Sequence, residues 1–276
     1  MSAEREPGRS GSGLALSALA WSVYLFLMAP IPVVVAMSFG SQYAFEFPPR
    51  SLSVFLYRQF FGDPTWMAAL GLSFRVATLS ALLALTLGVP AAYGLVRGRF
   101  PGQRLVVLLL LSPLLVPVVV IGFALYLYLA RLGLTGTVTG LVLAHTLYTL
   151  PFVLVTAMAG LRHVDWHLEA AAAIMGAGRL TVFFRVTLPL LRPALVVGAL
   201  FAFLMSFDEV VIAFFLVKAA QVTLPVKMYG SIQHDTSPIL AAVSSILTVL
   251  SVAVCAAGAW LQEDRGAPRR PIADPA

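Results

Sequence analysis

The chain has 276 residues, 60% of them hydrophobic and only 11% charged, with a mean hydropathy of +0.93. A water-soluble domain carries roughly 25% charged residues, so this composition excludes a fold whose whole surface faces water. The formal charge of +6 is not interleaved with aromatics, and it calls for no nucleic-acid partner.

About 20 apolar residues cross a bilayer core as a helix. Six stretches meet that length: 14–38, 68–96, 105–130, 138–161, 189–216 and 238–261. A β-barrel would instead alternate in segments of roughly 10 residues, and no such segment is present. The predicted fold is all-α, a polytopic bundle of six transmembrane helices.

The first stretch follows Arg5 and Arg9, as in a signal peptide. It exceeds the roughly 7–15 apolar residues of such a peptide, which predicts an uncleaved first helix. Arg75 lies inside the second stretch. It either snorkels to the outer end or pairs with an acid of a neighbouring subunit. Pro113 and Pro117 in the third stretch and Pro151 in the fourth predict kinks. Tyr126 and Tyr128 suit an interfacial belt or packing, and Tyr126 is also a candidate for stacking on a cation. His145 in the fourth stretch reads as a packing residue. Cys255 in the sixth is a lone, inert thiol, and no Cys/His metal spacing occurs.

With six spans both termini share one side. Arg5, Arg9, Arg97, Arg99, Arg104, Arg162, Arg179, Arg185, Arg192, Arg265, Arg269 and Arg270 fall on that side. Only Arg50, Arg58, Arg131, Lys218 and Lys227 fall on the other. The positive-inside rule then places both termini in the cytoplasm of a cell bounded by this membrane. The expected organisation is a cytoplasmic tail at 1–13, a membrane domain at 14–261 and a cytoplasmic tail at 262–276, with the largest inner loop at 162–188. No loop is large enough for a nucleotide site, and no GxxxxGK[ST] occurs.

Residues 169–189 read EAAAAIMGAGRLTVFFRVTLP. Asp165 is placed to cap a helix from about 166 to 175, with Gly176 or Gly178 ending it in left-handed geometry. Glu169 suits the positive end of its dipole. Ala170, Ala171, Ala172 and Ala173 favour helix and leave a smooth face for a groove in another protein; an ordinary amphipathic connector is the alternative.

This segment resembles the cytoplasmic signature of ABC importer permeases: Glu-Ala-Ala, three residues, Gly, nine residues, then Ile-x-Leu-Pro. Aligned on Gly176, the nine residues 177–185 lead to Val186, Thr187, Leu188 and Pro189. The acidic position falls on Ala170, and the glutamate present, Glu169, is one residue early. The resemblance implies that Glu169, Ala170, Ala171, Ala172, Gly176, Leu188 and Pro189 couple to an ATPase, with Glu169 touching that subunit or only capping the helix. Ser206-Phe207-Asp208-Glu209, Thr223-Leu224-Pro225, Tyr229 and the outer stretch 45–66 are similar to the type I branch serving spermidine and putrescine uptake. In that family two permeases pair, two ATP-binding subunits sit beneath them, and a periplasmic binding protein delivers the solute. The family implies a bacterial inner membrane location and no cofactor in this chain, with ATP and magnesium held by the partner.

Asp208 and Glu209 lie about 20 residues into the fifth stretch, which at helical rise puts them roughly 30 Å from Pro189, in the outer part of the bilayer. Buried charges in a bilayer usually face a cavity or a partner, so both acids, with Phe207 and Tyr126, are candidates for a cation pathway. The alternative is a solvated or ion-paired position near Lys218 or Arg58. The expected function is the membrane subunit of an ATP-driven importer of a small cation such as a polyamine, with no covalent chemistry in this chain. Ferric iron, a phosphonate or another small solute is the alternative cargo. A secondary transporter would need paired halves with broken helices, and none is apparent. An intramembrane enzyme would need a convergent set that His145, His163, His167 and His234 do not form.

Overall fold

The computed structural model describes residues 10–41, 47–218, 221–234 and 237–263. Arg5, Arg9, Phe45, Arg265, Arg269 and Arg270, and most of the tails 1–13 and 262–276, lie outside the described residues. Among the described residues every element is helical, apart from an isolated bridge between Lys218 and Gln221. Four helices are long and apolar enough to cross a membrane, and up to six spans result if each of two bent pairs is one span.

The chain divides into two units, Met1–Asp63 with Thr236–Val249, and Pro64–Asp235 with Leu250–Ala276. The first contains α1 (Ser10–Met28), α2 (Pro30–Ser38) and α3 (Phe55–Gly62). Leu16–Ser38 has the length and hydropathy of a span, and Trp21, Leu25 and Phe26 stand exposed along it, as lipid-facing residues do. The end of α2 is tied to α3. Ser38 Oγ lies 2.7 Å from Tyr57 Oη, and the Phe39 and Tyr57 rings pack at 5.4 Å.

The second unit is built on α4 (Pro64–Arg97), an unbroken helix of 34 residues. Then come α5 (Gln103–Leu111), a 3-10 turn at Ser112–Leu114, α6 (Val118–Arg131) and α7 (Val138–His163). The expected third span is therefore not one helix. Its halves, Gln103–Leu114 and Val118–Arg131, meet at 101°. Pro117 has no N–H to continue the helix, disfavours helical geometry at Val116, and itself sits at ψ 132°. Pro151, by contrast, stays inside the continuous α7.

After α8 (Trp166–Ile174) and α9 (Arg179–Val182) the chain makes a π-helical turn at Phe183–Thr187, then α10 (Leu188–Leu190). It turns by 75° into α11 (Arg192–Phe207). Pro189 belongs to the segment before this bend, and Pro193 opens the membrane helix. The single helix expected over 189–216 is corrected again at its far end. Helix α11 stops at Phe207, and α12 (Val211–Leu216) starts afresh. Helices α13 (Leu224–His234) and α14 (Ile239–Glu263) follow.

Two cores hold the second unit. Ala84, Ala92, Val153, Leu154, Ala157 and Ala202 bury the contacts of α4, α7 and α11. Ile121, Leu129, Leu141, Ile212 and Leu216 do so for α6, α7 and α12. Lipid supplies no hydrophobic drive between helices, so close packing of small residues holds them. The α7–α11 crossing is an example. A Cβ on Gly160 of α7 would lie 2.5 Å from Ala194 Cβ of α11, and one on Gly198 of α11 would lie 2.6 Å from Thr156 Oγ1 of α7. Each helix thus presents two small residues four apart. Gly160→Leu or Gly198→Leu is expected to cost about 1–3 kcal/mol by overpacking, read as a lower melting temperature in detergent. Gly71→Ala, where a Cβ meets nothing within 4 Å, serves as the neutral comparison.

Candidate functional site

The α8 segment is shaped by local rules. Asp165 is extended (φ −63°, ψ 118°), and its carboxylate accepts a 2.9 Å hydrogen bond from the His167 N–H. The helix ends at Ile174, with Gly176 at φ +90°. The Gly176 and Ala177 N–H groups, bonded to the carbonyls of Ala173 and Ala172, close the last turn. A Cβ on Gly176 would meet nothing within 4 Å, so backbone conformation alone favours glycine there. Helix α7 runs on to His163, which shortens the loop expected from 162.

The alanines divide by face: Ala172 is buried, Ala170 half-buried and Ala171 exposed. The tip is apolar and bare. Ile174 is 88% exposed, Met175 82% and Leu180 75%. Behind it, Leu188 packs against the α4–α7–α11 core, and Pro189 is half-buried. Glu169 neither points outward nor caps α8. Its Oε1 accepts hydrogen bonds from Arg97 Nε (3.2 Å) and from an Arg97 terminal nitrogen (3.1 Å), and its Oε2 accepts one from Tyr93 Oη (3.2 Å).

At the α11–α12 break the two acids part. Asp208 follows the last residue of α11 and is exposed. Glu209 is buried, with Oε1 accepting from the Ile212 N–H at 2.9 Å and Oε2 from the Ala213 N–H at 3.0 Å. These are orphan donors of the first turn of α12. The expected 30 Å run from Pro189 is replaced by the 16 residues of α11, about 24 Å. His145 lies beside the break: its Nδ1 sits 2.8 Å from Ser206 Oγ and 3.1 Å from the Ser206 carbonyl, and its Nε2 lies 4.0 Å from Glu209 Oε2. This accords with a packing role.

Phe207 is only 7% exposed, stacked on Phe203 and edge-on to Phe74. Tyr126 is 39% exposed on α6 and forms no ring pair or hydrogen bond among the described residues. Tyr148, one turn beyond His145 on α7, is the tyrosine within electrostatic reach of both acids. Its place, three residues after His145 on one helix face, was the available signal.

The family model for the inner membrane component of binding-protein-dependent transport systems matches residues 84–264. The chain belongs to that family. As an ABC importer permease it is a multi-pass protein of the inner membrane. It is 34% identical over 232 residues to the putrescine transport system permease protein PotI of Escherichia coli (strain K12), covering 81% of this chain and 82% of that one. It is 29% identical over 244 residues to the spermidine/putrescine transport system permease protein PotC of the same strain, covering 88% and 92%. A crystal structure of a bacterial ABC transporter that imports the acidic polysaccharide alginate shares the fold, with a TM-score of 0.69 at 17% identity over 94% of this chain and 99% of that one.

The permease also has a cavity of about 1330 Å³ between α4 and α13, lined by Leu72, Arg75, Phe214, Gln221, Lys227 and His234 among others. Arg75 lines this space, about a third of the way along α4 from Pro64. Lys227 Nζ lies 4.6 Å above the Trp66 ring and bonds Thr65 Oγ1.

Proposed function

We propose that this permease forms the membrane pathway of a polyamine importer. The observation that carries the proposal is the similarity over four fifths of the chain to PotI, a putrescine permease. Both termini lie in the cytoplasm, which puts α8 on the cytoplasmic face. There the bare apolar tip at Ile174, Met175 and Leu180 docks on an ATP-binding subunit that holds the nucleotide and magnesium. A second permease completes the pathway, and a periplasmic binding protein loads it. The chain itself needs no cofactor and binds no nucleic acid.

Asp208 is the acid available to a cation, because it is exposed where Glu209 is enclosed. The carbonyls that end α11 add the negative pole of a helix dipole at the same place. Tyr148, within electrostatic reach of Asp208, offers an aromatic face to a cation.

The test is uptake of labelled putrescine and spermidine by cells carrying the full transporter. Asp208→Asn is expected to lower uptake about tenfold, the loss of roughly 1.4 kcal/mol of charge attraction, with the protein level unchanged. Uptake of neither polyamine by the parent transporter would refute the cargo, and parental uptake by Asp208→Asn would refute the role of that acid.

A further inference from the structure

Resting on the docking of α8 proposed above, we infer that Arg97, Glu169 and Tyr93 form a latch that makes α8 and α4 move as one body. The latch, rather than the peptide chain, carries the ATPase stroke into the membrane.

The backbone on either side of α8 is a poor transmitter. Before it, Val164 (ψ 120°) and Asp165 (ψ 118°) are extended. After it come Gly176 at φ +90°, a π-helical turn and the 75° bend ahead of α11. A displacement of α8 can be absorbed at each of these breaks. The side-chain connection has no such slack. Two nitrogens of one planar guanidinium grip Glu169 Oε1, and Tyr93 Oη grips Oε2. The same guanidinium donates to the Val164 carbonyl at 2.8 Å, so it holds the entry to α8 as well. Charge-assisted bonds of this kind are among the stronger ones. The Glu169 side chain is only 11% exposed and that of Arg97 22%, which limits screening by water and salt. The Tyr93 ring further packs edge-on against Phe183 at 5.0 Å.

Helix polarity supports the pairing. Arg97 is in the last turn of α4 and Glu169 in the first turn of α8, each at the pole that favours its charge. Ile174 and Met175 follow Glu169 by five and six positions, about 140° and 240° around a helix at 100° per residue. One face of α8 therefore meets the partner while the opposite face holds α4. This also accounts for the glutamate that stands one residue ahead of the family signature: at 169 it faces α4. From Arg97, α4 continues without a break for 34 residues, about 51 Å, past Arg75 on the wall of the large cavity. A push on α8 would thus reach that wall directly.

The experiment uses the whole transporter in proteoliposomes, with uptake and ATP hydrolysis measured together. Arg97→Ala and Glu169→Gln are expected to lower uptake per ATP about tenfold, within the usual range of coupling energies, while hydrolysis persists. The exchange Arg97→Glu with Glu169→Arg is expected to recover part of the ratio, because it restores the ion pair but not the bonds to the Val164 carbonyl and from Tyr93. Unchanged uptake per ATP in Arg97→Ala overturns the latch. Ile174→Glu separates the two failures. If it too leaves uptake intact, the docking of α8 is wrong, and if it alone abolishes uptake, only the latch is wrong. Should Arg97→Ala fail to assemble, spin labels at Ala171→Cys and Gly94→Cys, in a Cys255→Ser background, decide. A distance constant across nucleotide states upholds the latch, and one that changes by more than a few Å overturns it.

Discussion

Glu209→Ala is expected to destabilise the protein, whereas Asp208→Asn is expected to leave its stability alone. The two neighbours differ because the chain breaks between α11 and α12. Glu209 turns inward onto the Ile212 and Ala213 amides, and Asp208 stays in the open. Removing the buried carboxylate strands two donors in the protein interior. Hydrogen bonds to a charged group contribute about 1.5–3 kcal/mol each, so loss of both in Glu209→Ala should cost about 3–6 kcal/mol. Glu209→Gln should cost less, about 1–3 kcal/mol, since its amide oxygen still accepts from one N–H while its NH₂ group faces the other. Neither loss depends on a substrate. The check is thermal unfolding of the purified protein in detergent, followed by tryptophan fluorescence. A melting temperature for Glu209→Ala equal to that of Asp208→Asn would show that the capping bonds do not hold α12.

The different fates of these acids mark what the sequence could and could not convey. The cap at Asp165 and the left-handed turn at Gly176 were legible, because each is decided within three residues of chain. The membrane character of four stretches was legible too, and of up to six if each bent pair is one span, since it depends on composition alone. Direction was not. Residues 189–216 are mostly apolar, with Arg192, Asp208 and Glu209 as charged exceptions, and hydropathy is blind to a 75° bend or to a helix that stops at Phe207. Pro113, Pro117 and Pro151 were visible as kink sites, but a missing N–H fixes neither the angle nor which proline will break its helix. Contacts distant in sequence were hidden as well. Arg97 and Glu169 stand 72 positions apart, and each alone reads as a charge at a helix end. Ile174 and Met175 were within reach of inspection: two large apolar residues directly before a left-handed glycine are unlike an ordinary solvent-facing helix end.

Those two residues carry the other large effect. Ile174→Glu with Met175→Glu is expected to release the ATP-binding subunit and abolish ATP-driven uptake. At 88% and 82% exposure neither side chain supports the fold, and surface substitutions of this kind usually shift stability by less than about 0.5 kcal/mol. In a partner's groove each would gain roughly 1.5–3 kcal/mol from burial. A carboxylate in the same groove forfeits that gain and adds the cost of desolvating an unpaired charge. A double substitution should therefore weaken binding by about 4 kcal/mol or more, near a thousandfold. Co-purification of the ATP-binding subunit with solubilised permease measures it directly, and membrane content of the variant confirms that insertion is intact. Retention of the subunit at parental affinity would move the docking face elsewhere. The pair Ile174→Ala and Met175→Ala should fall between, because it gives up burial without introducing charge, and that ordering distinguishes a groove contact from a general effect of acidity near the membrane surface.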